Sequence, residues 1–219
     1  EIDAQGNQWH YSPYNGKKMP GAMFTDTGFW DTFRSLFPFL NLMYPSMNLE
    51  MQKGLVNAYR ESGFLPEWAS PGHRESMIGN NSASVVADAY RMGLSGYDTD
   101  ALWEAVVHGA NHVHSKITAT GRFAHYEYNT LGYVPSGSGI NQNVARTLEY
   151  AYDDWCIYQF GKALGKPEEE IAVYAKHALN YKNLYDPSTK LMRGKDKNGT
   201  FISPFDPSAW SRDFTEGNS

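Results

Sequence analysis

The sequence predicts an all-α chain that supplies about half of an α/α toroid, with one short β-hairpin near residues 190–202. Three observations carry this reading. Apolar residues recur at helical spacing in about six segments, separated by loops containing Gly, Pro and Asn. The helices follow one another as three hairpin-like pairs with no strands between them, which is helix-on-helix layering. A closed ring of six such hairpins would need about twice the length, so the 219 residues read as an incomplete domain.

Residues 7–25, with Tyr11-Ser12-Pro13-Tyr14-Asn15-Gly16, read as an irregular or short hairpin entry. The first helix starts near Asp26 or Thr27, either able to cap it, buries Trp30, Phe33 and Phe37, and stops at or shortly after Pro38. Pro45-Ser46 opens the second, with Met51, Leu55 and Ala58 on one face and Gly63 as the left-handed residue after it. Asn80-Asn81-Ser82 caps the third, which carries Val85, Ala89 and Met92 and ends at Gly93. Asp98 or Thr99 caps the fourth, with Leu102, Val106, Ala110 and Val113 inward.

Residues 115–140 read as a long loop. The fifth helix, about 141–164, repeats apolar groups at Val144, Leu148, Ala151, Trp155 and Tyr158. The sixth begins at Pro167, and Glu168, Glu169 and Glu170 suit the positive end of its dipole. It continues through Ile171, Tyr174, Ala178 and Tyr181. A two-stranded signal closes the chain, Leu191-Met192-Arg193 against Thr200-Phe201-Ile202, turning at Asn198-Gly199.

Composition narrows the class of function. The formal net charge is −5 with dispersed basic residues, which argues against a nucleic-acid partner. No apolar run reaches the ~18 residues that span a bilayer. Aromatic residues make up 15% of the chain, a share that serves large-residue packing or flat faces for sugars. The lone cysteine, Cys156, reads as a buried small hydrophobe and excludes an internal disulfide framework. Asn80-Asn81-Ser82 and Asn198-Gly199-Thr200 match the glycosylation sequon.

Several polar residues break the local pattern. Asp88 lies on the apolar stripe of its helix, so it either holds a ligand hydroxyl or ties two helices together. Asp153 and Asp154 are adjacent in mid-helix, where aspartate is a poor helix former; one is read as substrate-facing and one as structural. Trp30, Asp31 and Arg34 place an indole, a carboxylate and a guanidinium within one turn, which suits a sugar ring or a local Asp31–Arg34 pair beside a core Trp. His108 and His112 stand four apart without a glutamate between them or a third ligand, and read as a partly exposed face. Glu216, near Trp210 and Phe214, either has an apolar setting that favours the acid form a general acid needs or is a helix-start residue of the next element.

Four stretches together resemble glycoside hydrolase family 92, calcium-dependent exo-acting α-mannosidases. They are Phe24–Thr32, Gly79–Tyr90, Arg146–Trp155 and Asp213–Asn218, and they occur in the family's order over nearly the whole chain. The resemblance implies half of an (α/α)6 barrel, with a β-sandwich domain before residue 1 and the second half-ring after residue 219. It implies an inverting mechanism in which Glu216 is the general acid, Asp31 binds the terminal mannose and Trp30 lines its pocket. Asp88, Asp153 and Asp154 join the candidate substrate-binding set. The general base and the main calcium ligands are expected downstream of Ser219, with no metal ligand in this chain. The implied partner is a mannose-containing glycan, and the implied location is secreted or periplasmic.

Overall fold

The computed structural model describes residues 1–215 and Gly217. Eight α-helices, α1 to α8, dominate the described residues: Phe29–Thr32, Leu36–Met43, Pro45–Ser62, Ser82–Arg91, Thr99–Asn111, His125–Leu131, Asn143–Leu164 and Glu168–His177. Six short strands form three separate antiparallel ribbons: β1 (Trp9–Tyr11) with β2 (Lys18–Pro20), β3 (Thr27–Gly28) with β4 (Trp68–Ala69), and β5 (Tyr185–Asp186) with β6 (Leu191–Met192).

The predicted hairpin entry is the β1–β2 ribbon. The first predicted helix is instead two. Asp26 takes a left-handed φ of 60°, Thr27–Gly28 pairs as a strand, and only then does the four-residue α1 begin. Pro38 does not stop a helix. It sits in the first turn of α2, where its missing N–H has no intrahelical partner to lose. Gly28 is required by space, because a Cβ there would collide with the Trp68 ring across the ribbon.

Between Pro45 and Leu164 the caps expected at Pro45, Gly63 and Asp98 form, whereas Asn81 at the start of α4 makes no side-chain cap. Pro45 opens α3, Gly63 closes it at φ 82°, and the Asp98 carboxylate accepts from the Ala101 N–H at 3.0 Å to cap α5. The loop predicted over 115–140 contains α6. The last helix ends sooner than expected, at His177, and Tyr181 lies in a 3-10 turn, Asn180–Leu184. Leu191–Met192 pairs with Tyr185–Asp186 rather than with Thr200–Ile202, which turns back on Gly194–Asp196 instead, with one isolated bridge between Lys195 and Phe201.

The main core runs between α2, α3, α4, α5, α7 and α8 and includes Phe37, Leu55, Val86, Leu102, Val106, Ile157, Phe160 and Ile171. Ile157 and Phe160 have no exposed surface, and each such burial stabilises the fold by about 2–3 kcal/mol. Helix α7 is the axis of this packing, flanked by α4 on one side and α8 on another. Its buried residues surround the helix instead of forming the predicted stripe. Thr147, Tyr150, Asp153 and Asp154 are inside, while Trp155 is 47% exposed.

Candidate active site

Three parts of the chain meet α7 in succession along its first three turns. The loop 210–215 meets the amino end of α7, α1 meets its second turn, and the amino end of α4 meets its second and third.

At the amino end, the Asp213 carbonyl accepts the Val144 and Ala145 N–H groups at 2.9 and 3.2 Å. The Asp213 carboxylate accepts from Asn143 Nδ2 at 2.9 Å, and the Thr215 hydroxyl bonds Gln142 Oε1 at 2.9 Å. The carbonyl thus takes up two backbone donors that the helix start leaves free, while the carboxylate holds the Asn143 side chain. The loop's last described turn is thereby fixed. Glu216 itself lies outside the described residues.

At the second turn stands the wall formed by α1. Trp30 is half-buried, and its indole N–H is buried without a partner among the described residues. The Arg34 guanidinium lies 4.7 Å from the Trp30 ring and 4.6 Å from Phe33, and its Nε donates to the Trp30 carbonyl at 3.0 Å. Arg34 pairs not with Asp31 but with Glu149, at 2.9 Å. Asp31 is exposed and lines a cavity of about 390 Å³ with Asp26, Thr32, Leu36 and Trp68.

The turn Asn80–Ser82 at the start of α4 is held between carboxylates from two sides. Glu67 accepts from the Ser82 N–H at 2.9 Å, the Ser82 hydroxyl at 2.6 Å and Asn80 Nδ2 at 3.0 Å. From α7, Asp153 accepts from the Asn80 N–H at 2.8 Å and Asn81 Nδ2 at 3.3 Å, and Glu149 accepts from Asn81 Nδ2 at 2.8 Å. Asn80 is only 2% exposed, so its sequon is closed to modification in the folded chain.

Burial pushes the Glu67 carboxyl up to about 7, against the lowering effect of Ser82, Asn80 and Arg122. Because the folded value lies above the unfolded one, Glu67 stabilises the fold fully below pH 4.5, and that contribution is lost as pH rises to about 7. The thermal midpoint of Glu67→Gln is therefore expected to fall less than that of the unmutated protein between pH 5 and 7. Parallel midpoint-versus-pH curves for the two proteins would contradict it.

Asp153 and Asp154 have no exposed surface. Asp154 accepts from Arg122 Nη1 at 2.8 Å and from the Tyr128 hydroxyl at 3.0 Å, with His177 Nδ1 at 3.8 Å. Arg122 is 1% exposed, lies over the Tyr128 and Tyr150 rings, and leaves Nε and Nη2 without partners among the described residues. Burial works against its charge, but the carboxylates of Asp154 and Asp153 beside it hold it firmly ionised. Burial also pushes Asp153 well up, reinforced by Glu149 and opposed by Arg122.

Asp88 stands apart. It is half-buried and accepts from Asn41 Nδ2 at 2.6 Å, the end of an amide ladder through Asn48 and Gln52 of α3. It shares a cavity of about 190 Å³ with Arg34, Arg91, Tyr152 and Trp155. His112 is exposed and stacks on half-buried His108 at 4.2 Å. Cys156 is buried, and burial pushes its thiol up to about 12.

The structure therefore links Trp30 through Arg34, Glu149 and Asn81 to Asp153, which is buried like Asp154, and leaves Asp31 exposed in the cavity beside Asp26 and Trp68. Sequence reasoning missed Glu67, Arg122 and Glu149. Glu149 had a visible signal, lying one turn before Asp153 within one of the quoted stretches. Among the described residues no three His, Cys, Asp or Glu side chains converge as a metal-ligand set.

The sequence profile of the glycosyl hydrolase family 92 catalytic domain matches residues 2–219. A family GH92 inverting mannosidase from Bacteroides thetaiotaomicron is 46% identical with a TM-score of 0.96, over 99% of this chain and 29% of that one. A second α-mannosidase of family GH92 from the same organism is 34% identical with a TM-score of 0.84, over 99% of this chain and 28% of that one. An uncharacterised secreted glycosidase from Arthroderma benhamiae is 33% identical over 165 residues, 70% of this chain and 20% of that protein. The chain thus spans less than a third of each relative and is a partial domain of all-α architecture.

Proposed function

Because the chain belongs to glycoside hydrolase family 92, we propose that it carries the proton-donor side of an inverting exo-α-mannosidase that releases mannose from the non-reducing end of α-mannosides. The observation that supports this most directly is the shared anchorage on α7: the loop leading to Glu216 and the Trp30–Asp31 wall are held by one helix, at Gln142–Ala145 and at Glu149.

In this reading the Trp30 indole packs against the apolar face of the terminal sugar while exposed Asp31 accepts its hydroxyls. Glu216 protonates the leaving oxygen, and a carboxylate on the opposite face, from polypeptide outside this chain, activates water. Buried Asp153 and Asp154 hold the floor of the site and do not touch the sugar. Asp88 binds at a greater remove, if substrate extends into its cavity. The described residues hold no calcium set, so no step here is routed through that ion, and the ring's other half and the β-sandwich are assigned to the remaining polypeptide. Secretion or periplasmic location follows the relative named as a secreted glycosidase, and no helix among the described residues is long and apolar enough to cross a membrane.

The test is hydrolysis by the intact enzyme of aryl α-mannosides and α-glucosides, with and without a calcium chelator, the released sugar being followed by NMR. Mannose appearing first as the β anomer, with activity lost to chelator, is expected. Preference for glucosides, or first release of the α anomer, would overturn the reading.

A further inference from the structure

We propose that Glu149 is a positioning residue: acting through Arg34, it fixes the Trp30 indole and so sets how tightly the terminal sugar is held. The inference rests on the mannosidase reading for its substrate, but on this chain's own geometry for its mechanism.

Helix α1 has four residues and no side-chain cap. Such a short helix does not hold its own conformation, because one turn scarcely repays its nucleation. Apart from the Thr32 hydroxyl on the Gly28 carbonyl at 2.8 Å, what orients the Trp30 side chain must come from outside the turn. Arg34 supplies it. Its guanidinium covers the Trp30 and Phe33 rings while its Nε returns to the Trp30 carbonyl, so one planar group fixes both the backbone and the ring.

Arg34 is itself long and 45% exposed, whereas its partner Glu149 is only 16% exposed. Glu149 is fixed because its second oxygen takes Asn81 Nδ2 at 2.8 Å, and Asn81 also reaches Asp153. The tie therefore runs from buried Asp153 through Asn81, Glu149 and Arg34 to Trp30. Both neighbours of Glu149 are donors, Arg34 by necessity and Asn81 by its bond to Asp153. A carboxylate satisfies both. An amide presents a donor to one of them and breaks the tie.

The experiment is steady-state kinetics of Glu149→Gln, Arg34→Lys and the double variant in the intact enzyme, on an aryl α-mannoside. Each single variant is expected to raise KM about 5–20-fold with kcat within about twofold, because the platform binds ground state and transition state alike. The double variant should be no worse than the poorer single one, since both cut the same tie. Acrylamide quenching of Trp30 emission, taken as the difference from Trp30→Phe, should rise in Glu149→Gln. Unchanged KM and unchanged quenching in Glu149→Gln would overturn the proposal, as would additive effects in the double variant. If the unmutated enzyme fails to cleave mannosides, the functional reading fails while quenching still decides the role of Glu149.

Discussion

Glu216→Gln in the intact enzyme is expected to lower kcat on an α-mannoside with a poor leaving group by about 10²–10⁴-fold, the usual contribution of a positioned general acid. Glutamine keeps the shape of glutamate and has no proton to give. A substrate whose leaving group departs readily as an anion should lose much less, because protonation is then scarcely needed. The thermal midpoint should stay near that of the unmutated enzyme, since the loop is anchored by Asp213 on Asn143, Val144 and Ala145 and by Thr215 on Gln142. Near-normal turnover of the poor-leaving-group substrate would remove Glu216 from the acid role.

Arg122→Ala is expected to cost about 3–5 kcal/mol of stability, the usual result of deleting one partner of a buried ion pair. The deletion leaves Asp154, which has no exposed surface, facing Tyr128 and His177 without a cation, and leaves Asp153 and Glu67 without their nearest compensating charge. Replacing both partners, as Arg122→Met with Asp154→Leu, should recover most of the loss, because an apolar pair of similar volume leaves no charge stranded. Urea unfolding followed by circular dichroism reads both. If the double variant is no more stable than Arg122→Ala, the stranded-charge account is wrong.

What could be read from the sequence was what local chemistry decides. Pro45, Gly63 and Asp98 act within a turn of where they stand, and the helices they bound fall where expected. The late start of α1 was hidden because it depends on a partner about forty residues away: Thr27–Gly28 pairs with Trp68–Ala69, which keeps the chain out of helix before Phe29. Trp155 was expected inside because periodicity assumes one buried face, whereas α7 is covered on several sides and leaves a different one open. The mid-helix aspartates stood out because a carboxylate there conflicts with helix propensity. Their partners did not. Arg122 and Glu67 are ordinary residues in loop sequence, and only the fold brings them beside Asp153 and Asp154.

Helix α7 spans 22 residues and touches the loop before Glu216 at one end, the Trp30 wall one turn further in, and the Arg122 pair beyond that. Rods transmit strain and do not absorb it. A sugar seated at the mouth should therefore slow amide hydrogen exchange well beyond its own contacts, into the backbone around Asp153 and Asp154.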